Sequence, residues 1–445
     1  MVETNGSERK RLEAARRLFE HFAELANAPF YVRLWDGSLI PMGRDAAEDL
    51  VVTLSGPGVL GSLLRGPKLE NLLREYVHGR IEIQAPSLIE FFERVRKTRP
   101  KIKSRDIKKS LLLKSSLQFL FATHEKDRVQ LGYNRDETGR TASNRDNREF
   151  VQFHYDLSND FYKLFLDPEM QYSCAYFNDW THSLERAQLN KLEMICRKLR
   201  LKPGEKLLDI GCGWGGLICY AAKHYGVTAH GVTLSQKQFD FAQEKIDRMG
   251  LRDRVSIELR DYNELEGTYD KIASIGMYEH VGIAQYPQYF RKIHSLLRDR
   301  GILLNHGITR RAKRDLKKFK KIRPENRLIL KYIFPGSELD HVGHTVESLE
   351  AHGFEVHDVE GWREHYALTC KYWCQRLEAE SERAISFVGP EKYRMWIAYL
   401  AGVSLGFADG SLRIFQVVAS KHRARGPAEL PPSRGDLYER PFGPS

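Results

Sequence analysis

The first quarter of the chain combines a helical pattern with short apolar runs. Apolar residues recur at helical spacing from residue 8 to about residue 28, which predicts an amphipathic helix that ends at Pro29. Further strands and one more helix are predicted by the patterns at 30–34, 51–54, 69–76 and 81–83. We interpret residues 1–93 as a small α+β domain, with a lipid contact or a dimer contact as its candidate roles.

From about residue 150 the pattern changes to short apolar strands separated by helical stretches. The predicted strands lie at 206–210, 228–233, 255–259, 270–275, 301–305 and 355–359, with a further extended segment at 414–419. Alternation of strands and helices is typical of an α/β fold with a mainly parallel sheet. We therefore expect an α/β domain at 149–422. The Pro-, Arg- and Gly-rich residues 423–445 predict a flexible tail.

Composition limits the class of protein. The 445 residues are 42% hydrophobic and 29% charged, which excludes a disordered chain and a chain embedded in a membrane, and the length suits two or three domains. The net charge of +11 indicates an anionic partner. Charge alone does not distinguish nucleic acid from lipid headgroups.

Two runs of basic residues carry much of this charge. Residues 94–114 are opposed only by Asp106, within a predicted basic linker at 94–148, and residues 310–323 are interrupted only by Asp315. Each run is either a solvated segment or a site of attachment to an anionic bilayer. No run reaches the roughly 18 apolar residues of a spanning helix, and the first residues do not resemble a signal peptide. We expect a cytoplasmic protein that associates peripherally with membranes.

Neither cysteines nor histidines predict a metal site. The six cysteines show no C-x-x-C spacing, so we expect reduced thiols without a disulfide framework. His341 and His344 are three residues apart in a polar segment that lacks a matching set of acidic or Cys residues. We expect no bound metal.

A glycine-rich turn follows the predicted strand at 206–210. Gly211, Gly213 and Gly215 let the backbone approach a ligand at the carboxyl edge of the sheet. Such a turn suits a dinucleotide or S-adenosylmethionine. Asp209, at the end of the strand, favours S-adenosylmethionine because a carboxylate suits its cationic amino acid end better than a pyrophosphate.

The next strand lacks the acidic residue that holds the ribose in most such methyltransferases. It ends in the segment Gly231-Val232-Thr233-Leu234-Ser235. Further along, Asp261 and Tyr262 supply an acid and an aromatic ring that suit an adenine. The alternative for this pair is ordinary capping of a loop.

Longer motifs make a more specific resemblance. The chain resembles the cyclopropane-fatty-acid synthase and mycolic-acid cyclopropane synthase family of S-adenosylmethionine-dependent methyltransferases, over roughly residues 150–420. The motifs that carry this resemblance lie at 154–162, 172–177, 209–216, 232–235 with Gln238, 274–282, and 365–367 with Trp373. The resemblance implies a class I methyltransferase (Rossmann-like) α/β sheet with helices on both faces. The basic and apolar residues at 310–334 predict a helical lid insertion at the mouth of the site, with a solvated helix face as the alternative.

The same resemblance implies a set of cofactor-binding residues. Tyr172 and Ser173 are implied to approach the methionine part, and Asp261 and Tyr262 the adenine. The Thr-Leu-Ser turn with Gln238 is implied to surround the cofactor, which accounts for the absent ribose acid. The full set is Tyr172, Ser173, Asp209, Gly211, Gly213, Trp214, Gly215, Thr233, Leu234, Ser235, Gln238, Asp261 and Tyr262.

The family's reaction transfers the sulfonium methyl carbon to a cis double bond of a fatty acyl chain, usually in a phospholipid. The resulting carbocation must lose a proton in a dry site before water reaches it. The resemblance implies that bound bicarbonate is the base. Its ligands are implied to be the side chains of Glu279, His306 and Tyr366 and the backbone N–H groups of Cys174 and Ile308. Taken singly, Glu279 is equally a capping residue and His306 a core histidine.

Several alternatives stay open at this point. The product is a cyclopropane fatty acid or a methylene-branched, methyl-branched or otherwise modified fatty acid. A nucleic-acid methyltransferase and a non-catalytic lipid-binding protein are the other classes. We expect unsaturated phospholipid acyl chains and an anionic membrane surface as partners and no nucleic acid, and a homodimer stays open.

Overall fold

The computed structural model describes residues 6–98, 106–124, 127, 129–135, 147–155, 157–422, 426–439 and 442. It forms two compact units. The first consists of residues 1–132, 323–328 and 378–402, and the second of residues 133–322, 329–377 and 403–445.

The first unit is built on a four-stranded sheet of order β2-β1-β3-β4, in which β1 and β3 are parallel and the other pairs are antiparallel. Its core contains Ala15, Val32, Leu54 and Phe119. The elements of its continuous part are α1 (Gly6–Ala26), β1 (Tyr31–Arg33), β2 (Leu39–Pro41), β3 (Val51–Leu54), α2 (Pro57–Arg65), α3 (Leu69–Val77), β4 (Ile81–Gln84), α4 (Leu88–Thr98) and α5 (Lys109–Phe119).

This unit contains two segments that the sequence pattern assigns to the linker and to the α/β domain. The predicted linker at 94–148 contains α5, whose Phe119 is fully buried in the core of the unit. Residues 378–402 also belong to the unit, where Glu378 accepts a hydrogen bond from the backbone N–H of Leu88 at 3.0 Å. The linker sequence is mostly charged, so its pattern does not predict that a few apolar residues, such as Phe119, pack α5 into a core. The linker residues 99–105, 125, 126, 128 and 136–146 lie outside the described residues.

The elements from residue 147 onward alternate helices and strands, as predicted. They are α6 (Asn147–Tyr155), α7 (Asn159–Lys163), α8 (Leu184–Lys198), β5 (Lys206–Ile210), α9 (Gly216–Tyr225), β6 (Thr228–Thr233), α10 (Gln236–Arg248), β7 (Val255–Leu259), β8 (Tyr269–Ile275), α11 (Tyr286–Leu296), β9 (Leu297–Arg310), α12 (Leu316–Lys320), α13 (Pro324–Tyr332), α14 (Val342–Ala351), β10 (Phe354–Gly361), α15 (Arg363–Ala379), α16 (Ser381–Val388), α17 (Pro390–Ala408) and β11 (Leu412–Lys421).

The sheet of the second unit has seven strands in the order β10-β11-β9-β8-β5-β6-β7. The strands from β9 to β7 are parallel, and β11 runs antiparallel to both of its neighbours. Two apolar clusters form its core, one around Leu207 and Ile218 and one around Ile272 and Tyr289. The predicted α/β fold with a mainly parallel sheet is confirmed.

The predicted strands are confirmed, and β9 is much longer than its prediction. The sequence pattern predicts residues 301–305, whereas β9 reaches Arg310 and pairs with β11 as far as Leu412. This pairing joins residues more than one hundred positions apart, so a local pattern does not contain it. It places His306 and Ile308 within the strand.

The predicted tail packs on the second unit over its described residues. Arg197 donates a hydrogen bond to the carbonyl of Leu437 at 2.8 Å, and its guanidinium lies 4.4 Å from the ring centroid of Phe442. Leu437 is buried. The composition of the tail predicts flexibility because it does not show these partners. Residues 423–425, 440, 441 and 443–445 of the predicted tail lie outside the described residues.

Candidate active site

The glycine-rich turn joins β5 to α9 and uses left-handed backbone at three positions. The φ angles are +78° at Gly211, +55° at Gly213 and +77° at Gly215. A side chain at Gly211 would meet Met277 at 2.9 Å, and one at Gly215 would meet Ala242 at 3.0 Å. A Cβ at Gly213 would meet nothing within 4 Å. Gly211 and Gly215 thus permit close packing, while Gly213 borders open space.

That open space is a cavity at the carboxyl ends of β5 and β6. Most of the predicted cofactor residues line it, namely Tyr172, Ser173, Asp209, Gly211, Gly213, Trp214, Thr233, Leu234, Gln238, Asp261 and Tyr262. Gly215 and Ser235 are not among the lining residues. Gly215 packs against α10, and the Ser235 hydroxyl caps α10 by accepting from the N–H of Gln238 at 3.4 Å.

The motif at 154–162 supports one wall of the cavity. Asn159 accepts a hydrogen bond from the indole N–H of Trp214 at 2.8 Å. Tyr172 packs in an aromatic cluster with Tyr162, 5.6 Å away, and Trp373, 5.1 Å away. Tyr172 thus lines the cavity with apolar rings packed behind it. Asp156 of the motif lies outside the described residues.

The adenine candidates, Asp261 and Tyr262, combine the capping of a loop with a place in the cavity wall. Asp261 caps the turn Tyr262–Glu264 by accepting from the N–H of Asn263 at 2.8 Å. The same Asp261 and Tyr262 also line the cavity. Beside this pair, the carbonyl of Thr233 accepts a hydrogen bond from the N–H of Arg260 at 3.0 Å. The Thr233 hydroxyl donates to the side-chain oxygen of Gln238 at 2.7 Å, which connects the end of β6 to α10.

Sequence reasoning missed a buried lysine in this cavity. Lys191 on α8 is fully buried and donates to the hydroxyl of Ser173 at 2.9 Å and to the side-chain oxygen of Gln171. Burial lowers the pKa of Lys191 to about 8, although Asp167 and Asp209 oppose that shift. The signal in the sequence is a lysine at the apolar spacing of α8, between Leu184 and Ile195.

Asp209 at the end of β5 is buried, and its Oδ1 has no hydrogen-bond partner among the described residues. Burial raises the pKa of Asp209 to about 7, while the positive charge of Lys191 acts in the opposite direction. A buried acceptor at the rim of a cavity suits a ligand that brings a positive charge or a donor.

A second set of polar residues lies on two segments that adjoin the cavity, the short turn Tyr278–His280 and the strand β9. The Oε1 atom of Glu279 accepts a hydrogen bond from the backbone N–H of Ile308 at 2.5 Å. Its Oε2 atom is buried and has no hydrogen-bond partner within the described part of the chain. Burial raises the pKa of Glu279 to about 7, and the hydrogen bond from Ile308 opposes that shift.

His306 is buried in the middle of the sheet. Its Nδ1 atom lies 3.1 Å from the side-chain nitrogen of Gln416. Burial, together with the positive charges of Lys191 and Lys198, lowers the pKa of His306 well below its usual value. The Nε2 atom is buried without a hydrogen-bond partner in the ranges that the structure describes. The ring therefore presents one unsatisfied polar atom.

The remaining two candidates flank Trp362, whose ring meets that of His306 edge-on with centroids 5.2 Å apart. Cys174 is fully buried, and its thiol lies 3.7 Å from the carbonyl of Trp362. Burial raises the pKa of this thiol well above its usual value, which argues against a cysteine nucleophile. Tyr366 packs on Phe407, with ring centroids 4.6 Å apart.

The five candidate catalytic residues do not themselves line the cavity. Two of them are its neighbours along the chain, because Ser173 precedes Cys174 and the lining residue His280 follows Glu279 in the same turn. His306 adjoins the cavity wall through its backbone, since its carbonyl accepts a hydrogen bond from the N–H of the lining residue Gly276 at 2.8 Å. The structure therefore places Glu279 in a turn that borders the cavity and joins the backbone of His306 to the cavity wall at Gly276.

This chain is similar in sequence to known proteins of one enzyme family. A sequence profile of the family described as mycolic acid cyclopropane synthetase matches residues 142–417. A probable fatty acid methyltransferase of Pseudomonas putida is 34% identical over 416 residues, which are 92% of this chain and 96% of that protein.

A second relative matches a shorter region. The cyclopropane-fatty-acyl-phospholipid synthase of Escherichia coli K12 is 41% identical over 268 residues, which are 60% of this chain and 66% of that protein. Among solved structures, the mycolic acid cyclopropane synthase CmaA1 complexed with SAH and CTAB superposes with a TM-score of 0.59 at 34% identity, covering 62% of this chain and 99% of that one.

Proposed function

This chain belongs to the mycolic acid cyclopropane synthetase family, and we propose that it methylates a cis double bond of an unsaturated fatty acyl chain in phospholipid, giving a cyclopropane fatty acid. It is an S-adenosylmethionine-dependent methyltransferase. The observation that carries the finer proposal is the pair of buried unsatisfied atoms, Glu279 Oε2 and His306 Nε2, on two segments that adjoin the cofactor cavity.

The cavity suits S-adenosylmethionine in shape and charge. Gly213 leaves the backbone open to the ligand, and the unsatisfied Oδ1 of Asp209 suits the cationic amino group of the cofactor. When bound, the cofactor supplies an electrophilic methyl group. Ser173, which Lys191 holds at 2.9 Å, and Tyr172 border the cavity wall toward Cys174.

The chemistry needs a dry surface that tolerates positive charge. An alkene that accepts a methyl cation becomes a carbocation, and aromatic faces stabilise cations by their negative quadrupole. The buried rings of Tyr162, Phe165 and Trp373 surround Tyr172. Tyr172 is the ring of this cluster that lines the cavity, so we assign its face to the cation and the rings behind it to keeping this side of the pocket apolar.

The two unsatisfied atoms suit a bicarbonate ion as the base. Bicarbonate has one O–H donor and two further oxygens, and Glu279 Oε2 is an acceptor, so the carboxylate can hold the O–H. We assign donation toward the other oxygens to His306, with Tyr366 and the N–H of Cys174. The N–H of Ile308, which the resemblance assigned to the ion, donates to Glu279, so we assign it to orienting that carboxylate.

A phospholipid substrate in an anionic bilayer is supported by the basic run at 310–323. Phe319 of α12 is buried against the guanidinium of Arg310, 3.8 Å from the ring centroid, which anchors the segment. The lysines around it point to solvent. An anchored segment with exposed positive charge suits lipid headgroups.

A second surface supports the same partner. Leu113 and Leu117 on α5 and Phe121 just after it are spaced by four residues and are 67%, 58% and 86% exposed. Lys109 and Lys114 are also exposed. Apolar residues on one helical face beside lysines are typical of helices that lie in the interface of an anionic membrane.

One incubation tests the proposal. The protein is mixed with S-adenosylmethionine carrying a ¹³C methyl group and with vesicles of unsaturated phospholipids, with free unsaturated fatty acid and with nucleic acid in parallel reactions. We expect the label in phospholipid acyl chains, read by mass spectrometry, and in a ring CH₂ by ¹³C NMR. Label in nucleic acid, or in no acyl chain, would exclude the proposal.

The second candidate is the same transfer with a methylene or methyl branch as product. The relative that covers 92% of this chain is a probable fatty acid methyltransferase, whereas the cyclopropane synthase of Escherichia coli K12 covers 60%. The ¹³C signal separates the two, since a vinylidene CH₂ and a CH₃ differ from a ring CH₂. A branched signal favours the second candidate.

A further inference from the structure

A row of polar side chains crosses three strands behind the candidate site. Glu360 of β10 lies directly opposite Gln416 of β11, and Gln416 lies directly opposite His306 of β9. Gln416 and His306 are buried. Buried polar groups in the middle of a sheet are costly unless they are hydrogen-bonded, so the partners of this row define its chemistry.

Lys198, the last residue of α8, joins the row from one side. It is buried and donates to Glu360 and to the side-chain oxygen of Gln416, the latter at 2.7 Å. An ammonium group has donors only, so the atom of Gln416 that faces Lys198 must be the oxygen. Burial lowers the pKa of Lys198, and the carboxylate of Glu360 opposes that shift.

The orientation of the Gln416 amide then decides the state of His306. With its oxygen on Lys198, the amide turns its NH₂ group toward Nδ1 of His306, at 3.1 Å. An NH₂ group donates, so Nδ1 accepts. Because burial keeps the imidazole neutral, its one proton lies on Nε2, the atom without a partner in the described residues.

We propose that Lys198 and Gln416 are positioning residues that hold His306 in the Nε2–H tautomer, so that it donates a hydrogen bond to an oxyanion at the active site. The assignment of that oxyanion rests on the proposed function, whereas the tautomer does not. Trp362 restricts the movement of the row, since its ring meets that of His306 edge-on and lies 5.2 Å from the Lys198 ammonium.

Two substitutions change the tautomer by different routes. Gln416→Glu replaces the NH₂ donor by an acceptor oxygen of similar shape, which draws a proton to Nδ1 of His306. Lys198→Met removes the donor that fixes the amide, so the amide is free to turn its oxygen toward Nδ1 with the same result. Neither residue lines the cofactor cavity, so the affinity for S-adenosylmethionine should stay unchanged in both variants.

The readout is ¹⁵N NMR of histidine-labelled protein with no ligand added. In the parent protein we expect an acceptor-type Nδ1 and a protonated Nε2 on His306, and in both variants a protonated Nδ1. His357 is the internal reference, because it pairs with Ser420 at 2.8 Å and should keep its tautomer. We expect methyl transfer to fall by roughly 10- to 100-fold in the variants, as for other residues that orient a functional histidine.

The outcomes separate the two levels of the proposal. A protonated Nδ1 on His306 in the parent protein overturns the tautomer assignment. An unchanged tautomer in a folded variant overturns the claim that the substituted residue holds it. A changed tautomer with an unchanged rate overturns the positioning role. If the chain methylates no lipid at all, the proposed function fails while the NMR result still decides the tautomer, and if a variant does not fold, the parent spectrum decides it alone.

Discussion

The carboxylate of Glu279 accepts a hydrogen bond from the backbone N–H of Ile308, with 2.5 Å between Oε1 and the amide nitrogen. This bond connects the turn after β8 to the neighbouring strand β9. It uses one carboxylate oxygen for orientation and leaves Oε2 buried and unsatisfied among the described residues. The fold thus fixes the direction in which this acceptor points.

Replacing Glu279 by Gln should keep the hydrogen bond that orients the side chain and remove the acceptor for bicarbonate. The variant keeps an oxygen for the Ile308 N–H but replaces the second acceptor by an amide donor. We expect methyl transfer to fall by about 10²- to 10⁴-fold, because the bicarbonate that acts as general base loses its acceptor partner, with nearly unchanged affinity for S-adenosylmethionine. Radiolabel transfer and calorimetry measure the two effects, and excess bicarbonate should restore part of the rate.

The matched control is Glu378→Gln in the first unit. Glu378 also accepts a hydrogen bond from a backbone N–H, that of Leu88, at 3.0 Å, and burial also raises its pKa. This variant should keep full activity. Full activity of the Glu279→Gln variant in bicarbonate-depleted buffer would show that the enzyme uses another base.

The rate of methyl transfer should depend on pH through Glu279. Burial raises the pKa of Glu279 to about 7, so the carboxylate is mostly protonated below that pH and loses its acceptor role. We expect the rate to rise with pH through about 7 and then to level off. The Glu279→Gln variant should lack this rise, and a parent profile that is flat between pH 6 and pH 8 would contradict the assignment.

Asp209→Asn should stabilise the fold at high pH while weakening cofactor binding. Burial raises the pKa of Asp209 to about 7, above its unfolded value, so the folded state favours the protonated form. Its contribution to stability is present below about pH 4 and is lost as pH rises through about 7. We expect the variant to melt at a higher temperature than the parent at pH 8 and at the same temperature near pH 4.

Differential scanning fluorimetry across this range measures the effect, with no cofactor added. A melting difference that is the same at every pH would show that burial does not raise the pKa of Asp209. Calorimetry at pH 8 should show a loss of S-adenosylmethionine affinity in the same variant.

Gly213→Val should abolish cofactor binding and leave the fold intact. The position has a φ of +55°, where a branched side chain costs about 1–2 kcal/mol, and the new side chain would extend into the cavity. Gly204→Val is a matched control, because Gly204 has a φ of +84° and also has nothing within 4 Å of an added Cβ. Both variants should lose similar stability by circular dichroism, and only Gly213→Val should lose affinity in calorimetry.

Unchanged affinity of the Gly213→Val variant would remove the glycine-rich turn from the cofactor site. Equal losses of affinity in both variants would assign the effect to stability instead.

Reversing the charge of Lys317, Lys318 and Lys320 should weaken binding to anionic vesicles. Each basic residue near such a surface contributes about 1 kcal/mol, and the attraction is screened over about 8 Å at physiological salt. We expect at least a roughly 100-fold loss of affinity in co-sedimentation, and weaker parent binding as salt increases. Reversal at Lys202, Lys206 and Lys223, which are also exposed, is the control.

Parent binding that is equally strong on neutral lipid, or that does not respond to salt, would exclude electrostatic attachment. Equal losses in the test and control variants would show that net charge acts without a specific surface.

Local features of this chain could be predicted from its sequence. The strands at 206–210, 228–233 and 255–259 coincide with their predictions because apolar period and flanking turns are local properties. The glycine-rich turn is local in the same sense, since left-handed backbone at Gly213 depends on the residue itself. Family motifs then pointed to Glu279 and His306 without giving their partners.

Long-range packing decided the rest. The charge of residues 94–114 predicts a solvated linker, yet Phe119 just beyond them completes the core of the first unit. The tail composition predicts flexibility, yet Leu437 and Phe442 pack on Arg197. In each case a few contacts of individual residues order a segment whose average composition predicts no packing.

Local patterns in the sequence are enough to predict the strands of the α/β domain, the glycine-rich turn and the membership of a methyltransferase family. The pairing of Gln416 with His306, and the contacts of Lys198 with Gln416 and Glu360, become visible in the folded chain alone. Lys191 likewise reaches Ser173 only through the packing of α8. The physical reason is that strand register and helix packing set which buried polar groups meet, and these depend on contacts between residues far apart in the chain.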